Sequence, residues 1–503
     1  MTDTPKAADN DVNGTAKAAS SDSAAGSTGK QAPLIADERA VGAIGHGVPV
    51  DAKTLRRRVW SWALWDWGSA AFNAVVTTFV FSTYLASNLF VDPAVLEGAT
   101  DAGGILDPEN PALKLAKADN ASLIGFALLI AGVLIALFAP VMGQRSDGSG
   151  RRKFWLGINT GLVVLAMAAM VFVEGTPGYL VLGATLLAVG NVFFEFASVN
   201  YNAMLVQVSN RDNVGKISGF GWGLGYIGGI VLLVVLLALF IQSFGVDGQT
   251  GLLGVTTDGG LNIRLAVLAS AAWFAIFALP LMFKVPEIPA RERENRTNFF
   301  ASYAQLWRTI VKLAKNSPQV LMFLLASAVF RDGLAGVFTF GAIIGMQVFG
   351  FSTSEVLYFA VAANLVAGIG TFVGGWLDDK LGAKNIILGS LVGLIVAGTA
   401  VLFVPSAQVW FWIFGLALCL FVGPVQSASR SFLSRITPHG REGEIFGLYA
   451  TTGRAVSFLA PGLFALFVSA TGDTRYGILG IVLVLFAGLL LMLPVKAKQS
   501  EIE

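Results

Sequence analysis

Twelve apolar runs, each about long enough to cross a bilayer as a helix, take up most of residues 60–494. They fall near 60–89, 122–142, 154–174, 179–205, 217–244, 262–283, 319–348, 355–377, 385–404, 409–433, 446–468 and 476–494. Inside lipid every backbone N–H and C=O must be satisfied within the protein, so such runs form helices. The expectation is an all-α membrane protein with twelve transmembrane helices. Charged residues make up only 13% of the chain, against roughly 25% in soluble domains; the missing charge leaves a surface suited to lipid.

Between the runs the composition changes. Residues 1–52 are rich in Ala, Ser, Asp, Gly and Lys, lack a long apolar core, and read as a disordered tail rather than a signal peptide. Residues 90–121 are acidic, whereas 284–318 carry Lys284, Arg291, Arg293, Arg296, Arg308, Lys312 and Lys315. If the spans alternate, Arg56–Arg58, Arg151–Lys153, Lys216, the 284–318 stretch, Lys380, Lys384 and Arg441 share one side. Basic residues mark the cytoplasmic side, so both termini are expected there, in a bacterial plasma membrane. The organisation is a tail, a six-helix bundle over 53–283, a linker over 284–318, a second bundle over 319–494 and a tail from 495.

Little here supports enzyme chemistry. Cys419 is the single cysteine, and His46 and His439 are the two histidines, which leaves no metal cluster and no expected cofactor. A net charge of +2 gives no reason to expect a nucleic-acid partner. Gly223-Leu-Gly225-Tyr-Ile-Gly228 fits a dinucleotide pattern but sits inside an apolar run with no strand before it. Gly221, Gly225 and Gly229 fit close helix packing instead.

The chain repeats itself. Gly143-Gln-Arg-Ser-Asp147-Gly-Ser-Gly150-Arg151-Arg152 follows the second run, and Gly375-Trp-Leu-Asp-Asp379-Lys380-Leu-Gly382-Ala-Lys384 follows the eighth, 232 positions later. Leu205–Gly219 also overlays Leu433–Gly447 at a separation of 228. Six runs per half, with a matched short loop in each, give two six-helix pseudo-repeats, the arrangement that transporters use. Either loop alone could be a solvated turn. As a pair, Gly143, Asp147, Arg151, Arg152, Asp379 and Lys380 become candidates for a cytoplasmic gate.

Charges inside the runs sharpen this picture, because each is costly at the centre of a membrane helix. Asp66, Glu195, Arg331, Asp332, Arg430 and Arg454 lie in the first, fourth, seventh, tenth and eleventh runs; the interiors of the third, sixth, ninth and twelfth have none. Helical spacing aligns Asp66, Ser69, Asn73 and Thr77, and likewise Asn191, Glu195, Ser198 and Asn202. Asp332 aligns with Thr339, Gln426 with Arg430, and Thr451 with Arg454. Arg331 and Asp332 read as a self-compensating pair. Structural ion pairs are the plain alternative for the whole set.

The matched loops resemble the signature of the major facilitator superfamily, in which helices three, six, nine and twelve of the fold face lipid. Gly148 departs from it, standing where a basic residue usually follows the aspartate. Three stretches resemble a narrower branch, the fungal autophagy-related vacuolar amino-acid effluxer and its bacterial relatives. These are Trp62-Ala-Leu-Trp-Asp-Trp-Gly-Ser-Ala-Ala-Phe-Asn73, Tyr201–Leu205 with Ser218–Gly229, and Gln426–Ser431 with Phe446–Tyr449 and Gly453-Arg454. The resemblance implies export or redistribution of amino acids or similar small solutes, and the chain is expected to act as a monomeric secondary transporter in the bilayer. On that reading Asp66 or Glu195 carries a coupling proton, Glu195 being nearer mid-span, and Arg430 and Arg454 hold the solute's anionic end. Asn73, Asn202, Asp332 and Gln426 complete the expected site. A sensor that binds without flux and a drug exporter of the same fold are the competing readings.

Overall fold

The computed structural model describes residues 51–101, 103–107, 110–210, 212–241, 251–287, 299–438 and 440–496. The N-terminal tail, most of the basic linker before Phe299, the last residues, His46 and His439 lie outside that range. Among the described residues the chain is helical, with one isolated β-bridge between Thr100 and Leu106. Eleven helices are long and apolar enough to cross a membrane. The twelfth crossing is the first in sequence and is composite: an α-helix Ala52–Ala70, a π-helical stretch Ala71–Phe79 and a short helix Phe81–Leu85.

The other spans follow as Pro111–Ser149, Arg152–Phe172, Pro177–Gln207, Val214–Ile241, Asp258–Lys284, Pro318–Phe349, Tyr358–Leu381, Ala383–Phe403, Gln408–Ile436, Glu442–Thr471 and Thr474–Met492. The second helix begins well before its expected start because Pro111 is pre-set for a first turn and Asn110 accepts the N–H groups of Ala112 and Leu113. An amphipathic helix, Phe299–Asn316, stands between the halves. The first half packs the third span on the fourth and sixth, and the first on the fifth and sixth. The second half packs the tenth on the eighth and ninth, and the seventh on the twelfth.

The halves meet most extensively at two crossings, the second span with the eleventh and the fifth with the eighth. Both rely on glycine. A Cβ on Gly143 would lie 1.9 Å from the carbonyl oxygen of Gly443, and one on Gly219 would lie 2.7 Å from that of Thr371. Close backbone approach of this kind is what small residues allow in membrane helices.

Two expectations about the seventh and eleventh spans fail. Arg331 and Asp332 do not pair, because successive residues on a helix point about 100° apart. Arg331 lies 3.8 Å above the Tyr449 ring and donates to the Tyr449 carbonyl at 3.0 Å. Asp332 is buried, lines neither described cavity, and accepts the Ala460 N–H at 2.6 Å. The eleventh span breaks there, into Glu442–Val456 and Leu459–Thr471. Asp332 is a cap for the freed end of that second segment, where a carboxylate meets orphan N–H groups and a favourable dipole. It is not among the residues that line the described cavities.

Candidate functional site

A cavity of about 670 Å³ opens between the first, fifth, seventh and eighth spans. Asp66, Ser69, Asn73, Thr78, Tyr226 and Asn364 supply most of its polar groups, and its remaining wall is mainly aliphatic and aromatic. Asp66, Ser69 and Asn73 were expected on this face, but Thr78 lines it in place of Thr77. The cause is the π-helical stretch: the Thr78 hydroxyl donates to the Asn73 carbonyl five residues back, at 2.7 Å. More residues per turn carry the stripe one position along. Asn364 had no partner in any stripe and was not anticipated.

The floor of the cavity is a charge pair from opposite halves. Arg430 Nη1 lies 3.3 Å from Asp66 Oδ2 and donates to Asn202 Oδ1 at 3.2 Å. Its Nε donates to Ser218 Oγ at 3.0 Å and its Nη2 to the Ser218 carbonyl at 2.6 Å. The Tyr201 hydroxyl donates to the same Asp66 oxygen at 2.9 Å. Trp62 stacks on Tyr201 at 4.6 Å and presents its face to Arg430 at 4.9 Å. Trp62 and Trp65, both stacked on Tyr201, therefore wall in a cross-half ion pair, while Trp67 packs on Trp273. Gly221 makes the approach possible, since a Cβ there would meet Asp66, Trp62 and Arg430 within 3.0 Å. Arg430 was expected to await a solute. Its donors are instead taken up by protein oxygens, and it is buried.

A second cross-half pair is looser. Arg454 Nη2 lies 3.5 Å from Glu195 Oε2 and 3.2 Å from Asn191 Oδ1, with the Arg454 side chain 38% exposed. Arg331 lies against the neighbouring Gly453, 3.1 Å from where a Cβ there would sit. Gln426, half-buried on the tenth span, makes no hydrogen bond among the described residues and lines no described part of the cavity.

Beyond the floor, on the side away from the cavity, the halves are fastened twice. Asp147 accepts from Arg152 Nε at 2.6 Å and from the backbone N–H of Glu444, at the start of the eleventh span, at 2.9 Å. Arg152, fully buried, also reaches Glu442 at 2.5 Å. On the other side of the pseudo-two-fold, Asp379 accepts the N–H groups of Gly215 and Lys216, at the start of the fifth span, at 2.7 and 2.8 Å. Arg435 pairs with Asp379 at 3.0 Å and with Asp378, which also accepts from Ser431. Each aspartate thus caps a helix of the opposite half. Two expected gate residues take no part: Arg151 is exposed, and Lys380 lies over the ring of Trp376 on its own helix at 3.7 Å. Asp378, Arg435 and Glu442 were missed. The overlay of the halves carries no signal for Glu442, since its equivalent 228 positions earlier is Val214.

Comparisons agree with this architecture. The profile described as "Vacuole effluxer Atg22 like" matches residues 54–503. The MFS-type transporter YxiO of Bacillus subtilis is 24% identical over 441 residues, covering 88% of this chain and 95% of that one. Autophagy-related protein 22-1 of Neosartorya fischeri is 24% identical over 309 residues, 57% of this chain but only 49% of the fungal protein. Among solved structures, the proton:xylose symporter XylE aligns with a TM-score of 0.64 at 14% identity, over 88% of this chain and 96% of that one. A bacterial homologue of the iron transporter ferroportin in its outward-facing state gives 0.60 at 15%, over 88% and 100%. With a fold of two six-helix repeats and a family match across both, the chain belongs to the Atg22-like family of major facilitator superfamily transporters.

Proposed function

We propose that the protein is a proton-coupled secondary transporter that moves a small amphipathic solute with an anionic end, an amino acid or similar, by alternating access. The Asp66–Arg430 pair carries this reading. It is a charge pair between the halves, with the cavity on one side and both fastenings on the other. Parting the halves at the fastened end must break it. A carboxylate that loses its cation in an apolar wall takes up a proton, so opening and protonation become one event. Asp66 rather than Glu195 is therefore our proton site, and Arg430 its lock. The anionic end of the solute goes to Arg454, which lies outside the lining of the cavity at Asp66 and whose weak pairing and exposure leave donors for it. The fungal relatives' family description as effluxers supports export. The fastened end is the cytoplasmic one, because the basic loops gather there.

Purified protein in vesicles tests this directly. Asp66→Asn is expected to abolish accumulation driven by a proton gradient while leaving solute-for-solute exchange; Arg454→Gln is expected to raise the half-saturating solute concentration. Gradient-driven accumulation by Asp66→Asn at the normal rate would remove the proton from this residue. For orientation, in a Cys419→Ala background a cysteine at Gly472 should label from outside intact cells, and one at Ala383 should not.

A further inference from the structure

The helix Phe299–Asn316 has three distinct faces. Ser302, Leu306, Thr309 and Leu313 are buried against the bundle. Here Leu306 and Leu313 join the core that holds Ile135 and Ala139 of the second span, and the Tyr303 hydroxyl donates to the Leu137 carbonyl at 3.1 Å. A second face, Ala304, Trp307, Val311 and Ala314, is apolar yet exposed, Trp307 by 67%. The third, Arg308, Lys312 and Lys315 at helical spacing, is basic and exposed, and the helix contains no acidic residue. An exposed tryptophan stripe beside a basic stripe has no use in water. At a membrane surface the indole sits at headgroup depth while lysines and arginines reach for phosphates.

The helix also touches the fastening. Arg441 Nη1 donates to Thr309 Oγ1 at 2.9 Å and pairs with Glu444 at 3.2 Å. The backbone N–H of Glu444 is the donor that holds Asp147. The side chains of Arg441 and Glu444 thus lead from the helix to the fastening.

We infer that this helix is a docking surface for anionic phospholipid, with Arg308, Lys312 and Lys315 taking headgroup phosphates and Trp307 and Val311 seated in the interface, and that its occupancy steadies the closed fastening through Thr309 and Arg441. Charge complementarity selects the occupant: three cations and no anion face outward, alongside an apolar stripe that a soluble partner would have to cover. This inference rests on membrane embedding alone and stands whether or not the protein carries protons or amino acids.

The test uses full-length protein in neutral detergent, with phosphatidylglycerol or phosphatidylcholine added. Unfolding should shift upward by several degrees with phosphatidylglycerol and by less than half as much with phosphatidylcholine; inorganic phosphate should not reproduce it. Lys312→Gln with Lys315→Gln should erase the difference, and Lys312→Arg with Lys315→Arg should restore it. Removing two exposed charges elsewhere on the same side, Arg56→Gln with Arg57→Gln, should leave it. Arg441→Gln should keep the retained lipid, counted by native mass spectrometry, but lose the shift. Equal shifts with both lipids would overturn the inference, as would loss of the preference in the Arg56/Arg57 variant but not in the Lys312/Lys315 one. A preference seen only after deletion of residues 1–50 would assign this face to that segment and overturn it too.

Discussion

The two fastenings occupy equivalent places in the two halves but work differently. Around Asp147 the halves are tied by charge: Arg152 of the first half, with no exposed surface, bridges Asp147 of its own half and Glu442 of the other. Around Asp379 the ion pairs stay within the second half, between Arg435 and the two neighbouring aspartates. Across the halves Asp379 accepts the backbone N–H groups of Gly215 and Lys216, with the Lys216 charge close by. One fastening is a buried ionic lock, the other a carboxylate seated on a helix N-terminus. Releasing the first leaves buried charge unmatched, whereas releasing the second exposes groups that water can satisfy.

The largest expected effect follows from that contrast. Arg152→Gln strands two buried carboxylates, a change that typically costs about 3–5 kcal/mol, and the closed state bears it. Nitroxide labels at Arg151 and Asn385, in a Cys419→Ala background, should show the halves parting in Arg152→Gln by a population change of at least about a hundredfold. Arg435→Gln should lower thermal stability without moving the labels apart, because its ion pairs do not cross. If Arg435→Gln opens the protein as fully as Arg152→Gln, the two fastenings are equivalent and the distinction is lost.

Much of this was readable in the chain because the loops are local repeats. The glycine, aspartate and basic positions recur in order, and the twelve spans follow from hydropathy alone. Asp66, Glu195, Arg430 and Arg454 were visible as charges too costly to leave in lipid. Their partners were not. Which arginine meets which carboxylate depends on how two bundles seat against each other, and no spacing encodes that. Asp332 misled for a related reason, since a buried carboxylate can serve a helix end as well as a cavity. Thr78 was hidden by the π-helical register shift, which apolar patterning does not announce.

Sterics offer a second, smaller test of the same contrast. Gly143 and Gly375 are equivalents at a separation of 232. A Cβ at Gly143 would lie 1.9 Å from the Gly443 carbonyl oxygen, and one at Gly375 would lie 2.7 Å from that of Gly215. Overpacking in a tight core costs about 1–3 kcal/mol. Gly143→Ala should fall at or above the top of that range, Gly375→Ala nearer the bottom, read from the same label distances. Equal effects would mean that the eighth span cannot shift more easily than the second.

The smallest expected effects are at Arg151 and Lys380, whose sequence positions resemble a gate but whose side chains do not act as one. Arg151 is exposed and precedes the third span without capping it. Lys380 sits over Trp376, itself 49% exposed, on the same helix. Exposed ionic contacts contribute about 0–1 kcal/mol, and an exposed cation–π contact about 0.5–1 kcal/mol. Neither contact spans the halves. Arg151→Gln and Lys380→Gln should therefore leave transport within about twofold of the parent protein, a rate change equivalent to less than 1 kcal/mol. Asp379→Asn, one residue away, should slow it clearly: the amide keeps one acceptor oxygen but loses the negative charge that the fifth-span N-terminus favours. A strong defect in Lys380→Gln would place the lysine in the moving contact, in a conformation where it has left Trp376 and crossed to the other half.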